Sequence, residues 1–196
     1  VSSGLVDRVD VSHFRLSVHL LIAFFILSLI LWNYLKIKFK NNIIDKINPI
    51  IPFVFLTLVF TQIVIGAFVS GMDAGKIYNS WPFMGNTFFP DDNRFSNLLK
   101  LSAFSDPSLV QFIHRCLAYI IGCFYLYILY KIYKNKIYDL YKPINILGLF
   151  IFLQIILGIF TVLYGAQIFI ASMHQISSIF LVSSSIYFFY LNTKPN

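Results

Sequence analysis

The stretch Pro107-Ser-Leu-Val-Gln-Phe-Ile-His114-Arg115-Cys116-Leu-Ala118-Tyr-Ile-Ile-Gly122-Cys123-Phe-Tyr-Leu-Tyr-Ile-Leu-Tyr130 holds 24 residues with one charge. About 20 apolar residues cross a ~30 Å hydrocarbon core as a helix. Asp106 followed by Pro107 is an N-cap and first helical position. Working outward, four more stretches meet the same length: His13 to Leu35, Pro49 to Val69, Pro143 to Tyr164 and Ile168 to Leu191. Ser12 is positioned to cap the first, and Gly165 suits the turn between the last two. The apolar runs lack strict alternation, which excludes a closed β-barrel. The reading is an all-α polytopic membrane protein of five transmembrane helices.

Composition agrees. Of 196 residues 58% are hydrophobic and 12% charged, and the mean hydropathy is +0.77. Eight Asp and no Glu face fifteen Lys and Arg, a net charge of +7. The basic residues cluster between apolar runs, where they act as topology signals, so nucleic acid is not an expected partner. Lys36, Lys38, Lys40 and Lys46 follow the first span, and Lys131, Lys134, Lys136 and Lys142 the third. The positive-inside bias puts these loops in the cytoplasm or matrix, and the long 70–106 loop outside. Cys116 and Cys123 lack metal-type spacing and read as packing residues. The chain begins at Val1 with neither a signal peptide nor a presequence, which reads as a piece of a longer protein.

His19, His114 and His174 lie on the first, third and fifth spans, each roughly seven residues, or ~11 Å, from the outer start. These spans run in the same direction, so the imidazoles are expected in one layer near the outer face. Ionisable groups inside a bilayer are functional candidates, and neutral imidazole is a good iron ligand. Small residues four positions on, Ala23, Ala118 and Ser178, with Gly122, leave room for a flat ring. They are also ordinary helix-packing residues. Arg115 and Arg15 are candidate partners for carboxylates at the outer boundary. For Arg15, snorkelling to the headgroups is the competing reading. His13, on another face from His19, is given no role.

Gln62-Ile-Val-Ile-Gly66-Ala-Phe68 and Gln154-Ile-Ile-Leu-Gly158-Ile-Phe160 repeat one pattern, each ahead of a histidine span. Two such units about a pseudo-two-fold axis make a four-helix bundle that brings His114 and His174 face to face. Gly66 and Gly158 are expected to allow close approach, and Gln62 and Gln154 to bond across helices. His19 falls outside that bundle, in a second site.

The segments SGLVDRVDVSHFRLSVHL (Ser3 to Leu20), GAFVSGMDAGKIYNSWPFMG (Gly66 to Gly85), VQFIHRCLAY (Val110 to Tyr119), LGIFTVLYG (Leu157 to Gly165) and MHQISS (Met173 to Ser178) resemble heme A synthases in order and spacing. The resemblance is to the mitochondrial and alphaproteobacterial branch; His13 stands where that pattern has proline. It implies eight spans in two pseudo-symmetric bundles, of which this chain matches the fourth to eighth. Residues 1–36 would then end a substrate bundle, 37–48 form an inner loop, and 49–196 form the carboxy-terminal four-helix bundle. His114 and His174 would be axial ligands of heme b, with Arg115 beside that cofactor. His19 would be the catalytic, substrate-side ligand to the iron of heme o. A second substrate-side histidine and a catalytic glutamate would lie on a span not in this sequence, so this stretch alone is expected to be inactive.

The implied enzyme is an oxidoreductase converting a methyl group of heme o to a formyl group by successive hydroxylations, yielding heme A for cytochrome c oxidase assembly. The implied membrane is the bacterial inner or mitochondrial inner membrane. Implied partners are the lipid bilayer, heme O synthase, oxidase assembly factors and a second copy as homo-oligomer. Asp73, Lys76, Tyr78, Asn79 and Trp81 are candidates for covering a heme edge, or an interfacial segment anchored by aromatics. The rival reading is a bis-histidine b-type electron carrier. Such a carrier needs histidines near both faces, whereas the buried ones here share a face. A histidine proton-relay transporter would be expected to show intramembrane carboxylates or broken helices.

Overall fold

The computed structural model describes residues 12–39 and 46–193. The amino-terminal motif as far as residue 11, and Lys40 of the first Lys-rich loop, lie outside the described residues. Five long helices follow one another: α1 (His13–Lys38), α2 (Ile50–Gly71), α3 (Pro107–Lys134), α4 (Tyr141–Leu163) and α5 (Ile168–Thr193). Each is long and apolar enough to cross a membrane. Among the described residues there is no strand, only an isolated bridge between Met84 and Thr87. The chain is an all-α, multi-pass membrane protein.

The sequence predicts most helix ends to within a few residues. The Asp106 carboxylate accepts from the Leu109 amide at 3.0 Å, with Pro107 at the first helical position. Gly165 (φ +63) and Ala166 (φ +56) make the tight α4–α5 turn. Ser12 departs from expectation: its carbonyl accepts from Leu16 N at 3.0 Å, but its side chain caps nothing.

Helix α2 contacts α3, α3 contacts α4, α4 contacts α5, and α5 returns to α2; α1 packs against α2 and α5. The densest packing is toward the Lys-rich end, where Phe55, Val59, Ile128, Ile132, Ile144, Leu147, Val182 and Phe188 are fully buried. Burial of such side chains cannot by itself hold helices together in lipid, so close packing and hydrogen bonds carry the association. Asn192 is one such bond-maker. It accepts from Ile47 N at 2.9 Å and donates to Ile47 O at 3.0 Å, fixing the chain entering α2 to the end of α5.

Cys116 is half-buried and Cys123 exposed; both are free. The packing role expected of Cys123 is therefore not what the fold gives it. Its side of α3 is left uncovered by the other helices.

Candidate functional site

On α2, Gln62 and Gly66 are four residues apart and so share a face. Opposite them, on α3, is His114. Gln62 Nε2 donates to the His114 carbonyl at 3.0 Å and lies 3.3 Å from His114 Nε2. A Cβ on Gly66 would stand 3.1 Å from His114 Cε1, so the missing side chain is what lets the imidazole lie against α2.

Helices α4 and α5 repeat the arrangement. Gln154 Nε2 donates to the His174 carbonyl at 3.1 Å and to Ser177 Oγ at 2.5 Å, and Ser177 Oγ donates to the same carbonyl at 2.9 Å. A Cβ on Gly158 would stand 3.2 Å from His174 Cε1. The repeat legible in sequence is thus a repeat of contacts. It differs in one respect, because Gln62 reaches the imidazole ring while Gln154 is shared with Ser177.

Each of the two imidazoles has its Nδ1 buried without a hydrogen-bond partner. Among the described residues no three His, Cys, Asp or Glu side chains converge. Each half of the repeat offers one imidazole ring as a donor.

Helix α2 serves as a ruler for depth. His114 is opposite Gly66. His13 packs on Gly71, and α1 runs antiparallel to α2. Six residues, or ~9 Å, further along α1, His19 lies level with residue 65. Phe53 and Phe189 meet with ring centroids 6.2 Å apart, and counting fifteen residues outward along both helices sets His174 level with residue 68. The three histidines share a layer within about one helical turn. They do not share a site: His19 is exposed on the outward side of α1, as is Arg15, among Val18, Ile22, Phe25 and Ile26. His13 packs its ring on Phe14 and Phe68.

Below the histidine layer α3 and α4 meet through Tyr125, whose hydroxyl donates to Ile144 O at 3.4 Å and occupies the space a side chain at Gly148 would need. Tyr133 and Tyr141 stack there with centroids 4.2 Å apart. Toward the histidines the facing surface opens: a Cβ on Gly122 would meet nothing within 4 Å.

The long 70–106 loop closes the histidine end. Arg115 donates through Nη1 to the carbonyls of Ser80 (2.9 Å) and Phe83 (3.3 Å) and through Nη2 to that of Tyr78 (3.0 Å). Gln111 donates to the Tyr78 carbonyl at 3.0 Å. The Tyr78 hydroxyl donates to Asp91 Oδ1 at 2.5 Å and accepts from Asp92 N at 3.3 Å, while Ser108 Oγ donates to Asp92 Oδ2 at 2.6 Å. Asn79 bridges Gly75 O (3.1 Å) and Val162 O (3.0 Å), laying the loop across the end of α4. Burial, followed by the bond to Asp91, raises the Tyr78 hydroxyl above the ordinary tyrosine value. For Asp92 burial pulls upward, but the bonds from Ser108, Tyr78 and Asn93 outweigh it and hold the carboxyl below the ordinary 3.8. Of the loop residues singled out from sequence, Tyr78 and Asn79 tie the loop down. Asp73 and Lys76 pair with each other at 2.8 Å in the open, and Trp81 is exposed beside a cis bond to Pro82. Sequence reading missed Gln111, Ser108 and Asp92. For Ser108 and Gln111 the available signal was a polar residue in the first two turns of α3; Asp92, in the loop, offered none.

The model of the family described as cytochrome oxidase assembly protein matches residues 1–186. The chain is 45% identical over 194 residues to a heme A synthase of Pelagibacter ubique, covering 99% of this chain and 57% of that protein. It is 39% identical to the heme A synthase of Flavobacterium johnsoniae (95% of this chain, 56% of that one) and 38% identical to that of Rickettsia bellii (93% and 56%). The chain spans a little over half the length of these curated relatives. No solved structure matches it. A family match running from the first residue through the α5 histidine, over the same Gln–Gly–His contacts in both halves, leaves one conclusion: the chain belongs to the cytochrome oxidase assembly protein family.

Proposed function

We propose that the complete protein is a heme A synthase, oxidising a methyl group of heme o to a formyl group, and that His114 and His174 are the residues that would hold a resident heme b. The observation that carries this is the duplicated contact set, Gln62–Gly66–His114 and Gln154–Gly158–His174, with both Nδ1 atoms buried and unpartnered. Buried polar atoms are ordinarily satisfied, so each orphan imidazole nitrogen calls for a partner. Imidazole is a common ligand of heme iron, and His114 and His174 would supply that donor type here. The residues fit the group.

In this reading heme b, when bound, supplies one-electron redox chemistry beside the substrate. Gly66 and Gly158 let the rings lie against α2 and α4. Gln62 and Gln154 hold the backbone carbonyl of each histidine and so fix where each helix presents its ring. The 70–106 loop, pinned by Arg115 and Gln111, keeps water from the layer. His19 serves the substrate heme o from the outward side of α1, at the same depth. An ionisable side chain there is costly against lipid, which favours cover by further spans of the protein. The Lys-rich ends face the cytoplasm or matrix of a bacterial or mitochondrial inner membrane.

The test uses the complete protein. His114→Ala and His174→Ala should each abolish the low-spin heme b absorption, and His19→Ala should abolish heme A in extracted pigment while heme b stays. An unchanged spectrum in His114→Ala sinks the ligand assignment. Extracted pigment containing only heme o from the wild type would favour the electron-carrier reading.

A further inference from the structure

At the Lys-rich end, between α3 and α4, an apolar furrow of about 330 Å³ is lined by Leu126, Leu129, Tyr130, Tyr133 and Asn145. Tyr133 is nineteen residues beyond His114, or ~28 Å along α3, so the furrow is remote from the histidine layer. The two helices are joined there by the Tyr125–Ile144 bond and by the stack of Tyr133 on Tyr141. Leu126, Tyr130 and Tyr133 are exposed, as are Leu149 and Phe152 further along α4. An apolar surface therefore runs from the furrow into the span.

The mouth of the furrow is polar and cationic. Asn145 is exposed on its span; its Nδ2 donates to the Tyr133 hydroxyl at 2.8 Å, and its second amide N–H has no acceptor among the described residues. Lys134 Nζ lies 5.4 Å from the ring centroid of Tyr130, which sets the ammonium beside a lining residue. Lys142 is exposed, three residues ahead of Asn145 and on the same face of α4. Residues 131–142 hold four lysines and one Asp, a net charge of +3. Among the described residues none of these lysines makes an ion pair. Topology bias and the helix dipole account for lysines at the end of α3. They do not account for an apolar furrow and an exposed amide next to them.

We propose that this furrow binds an anionic phospholipid of the leaflet at the Lys-rich end. The phosphate is held by Lys134 and Lys142 and accepts from the free Asn145 N–H, while an acyl chain follows Tyr130, Leu129 and Leu126 into the span. From Tyr133 to Leu126 is seven residues, or ~10 Å, enough to seat the upper part of a chain. Charge complementarity selects this occupant: basic pockets between spans on the cytoplasmic or matrix side suit anionic headgroups. A zwitterionic headgroup brings its own cation toward the lysines, and an apolar protein helix covers the furrow but leaves them unmatched.

The experiment places the complete protein in phosphatidylcholine vesicles containing a trace of phosphatidylglycerol, or of phosphatidylcholine, with a photoreactive acyl chain. Phosphatidylglycerol should label the peptide 126–133 roughly ten- to thirtyfold more than the phosphatidylcholine probe does, the range for two lysines near a membrane surface. Lys134→Gln and Lys142→Gln should each cut that preference roughly fivefold. Asn145→Leu should narrow it by a smaller factor, and Lys100→Gln, on the loop at the opposite end, should leave it unchanged. Equal labelling of 126–133 by the two probes overturns the proposal, as does a preference that survives Lys134→Gln and Lys142→Gln combined or falls equally in Lys100→Gln. No labelling of 126–133 by either probe also overturns it, and is the result if a partner helix covers the furrow. Should a variant fail to fold, the wild-type comparison of the two probes decides alone.

Discussion

The imidazole of His114 fills the space that a side chain at Gly66 would need, its Cε1 3.1 Å from the Cβ position. His174 and Gly158 stand in the same relation at 3.2 Å. In each half, a glycine on one helix sets how closely the next can bring its histidine ring.

Gly66→Ala and Gly158→Ala should therefore separate site from scaffold. Alanine gains about 0.8–1.0 kcal/mol of helix propensity over glycine, which offsets a tight contact that requires the ring to yield by a few tenths of an ångström. Protein yield and thermal unfolding should stay near wild type, while bound heme falls and its absorption shifts. Native heme content and spectrum in both variants would contradict a role for these glycines in seating the rings.

The two glutamines should not behave alike. Gln62 lies 3.3 Å from the His114 ring as well as bonding its carbonyl, whereas Gln154 reaches only the His174 carbonyl and Ser177. Each interhelical bond contributes roughly 0.6 kcal/mol in a bilayer, so Gln62→Leu and Gln154→Leu should lose similar, small amounts of stability. Only Gln62→Leu should change the electron paramagnetic resonance signal of the bound heme. Identical signals from the two variants would count against the asymmetry.

Loop docking should be confined to a window of pH. The Asp92 carboxyl is held below its ordinary 3.8, so its contribution is present above that value and is lost as pH falls through the lower folded value. The Tyr78 hydroxyl is raised above 10.0, so its contribution is present below 10.0 and is lost as pH climbs toward the folded value. Amide exchange across 78–92 should be slow between these limits and rise beyond both. In Asp92→Asn the acid-side rise should disappear; its persistence would assign it to another group.

Asn192→Ala should be the costliest of the polar substitutions at the Lys-rich end. Asn192 is buried and satisfies both backbone groups of Ile47. Leaving a buried backbone group unpaired costs about 1–3 kcal/mol, so thermal unfolding in detergent should shift down by several degrees. Loss of less than a degree would mean that water replaces the side chain.

Much of the fold was legible because a bilayer imposes one rule: each crossing is an apolar helix that satisfies its own backbone. The spans, the Asp106–Pro107 start and the Gly165 turn followed from that and from local chemistry. The Gln62 and Gln154 repeat was equally visible, since four-residue spacing puts glutamine and glycine on one face. Ser12 and Cys123 were misread because capping and packing depend on what else comes near.

The sequence by itself determined the number of spans, the shared depth of His19, His114 and His174, and the duplication, because helical rise converts residue number directly into depth. Only the tertiary structure decided that His114 lies against Gly66 and His174 against Gly158 while His19 is exposed, because rotation about each helix axis is set by its neighbours. It also decided that Arg115 is bound by three loop carbonyls from 32 to 37 positions away in sequence. No local pattern encodes such a contact; it exists because the loop folds back over the end of α3, where a buried guanidinium requires acceptors and those carbonyls require donors.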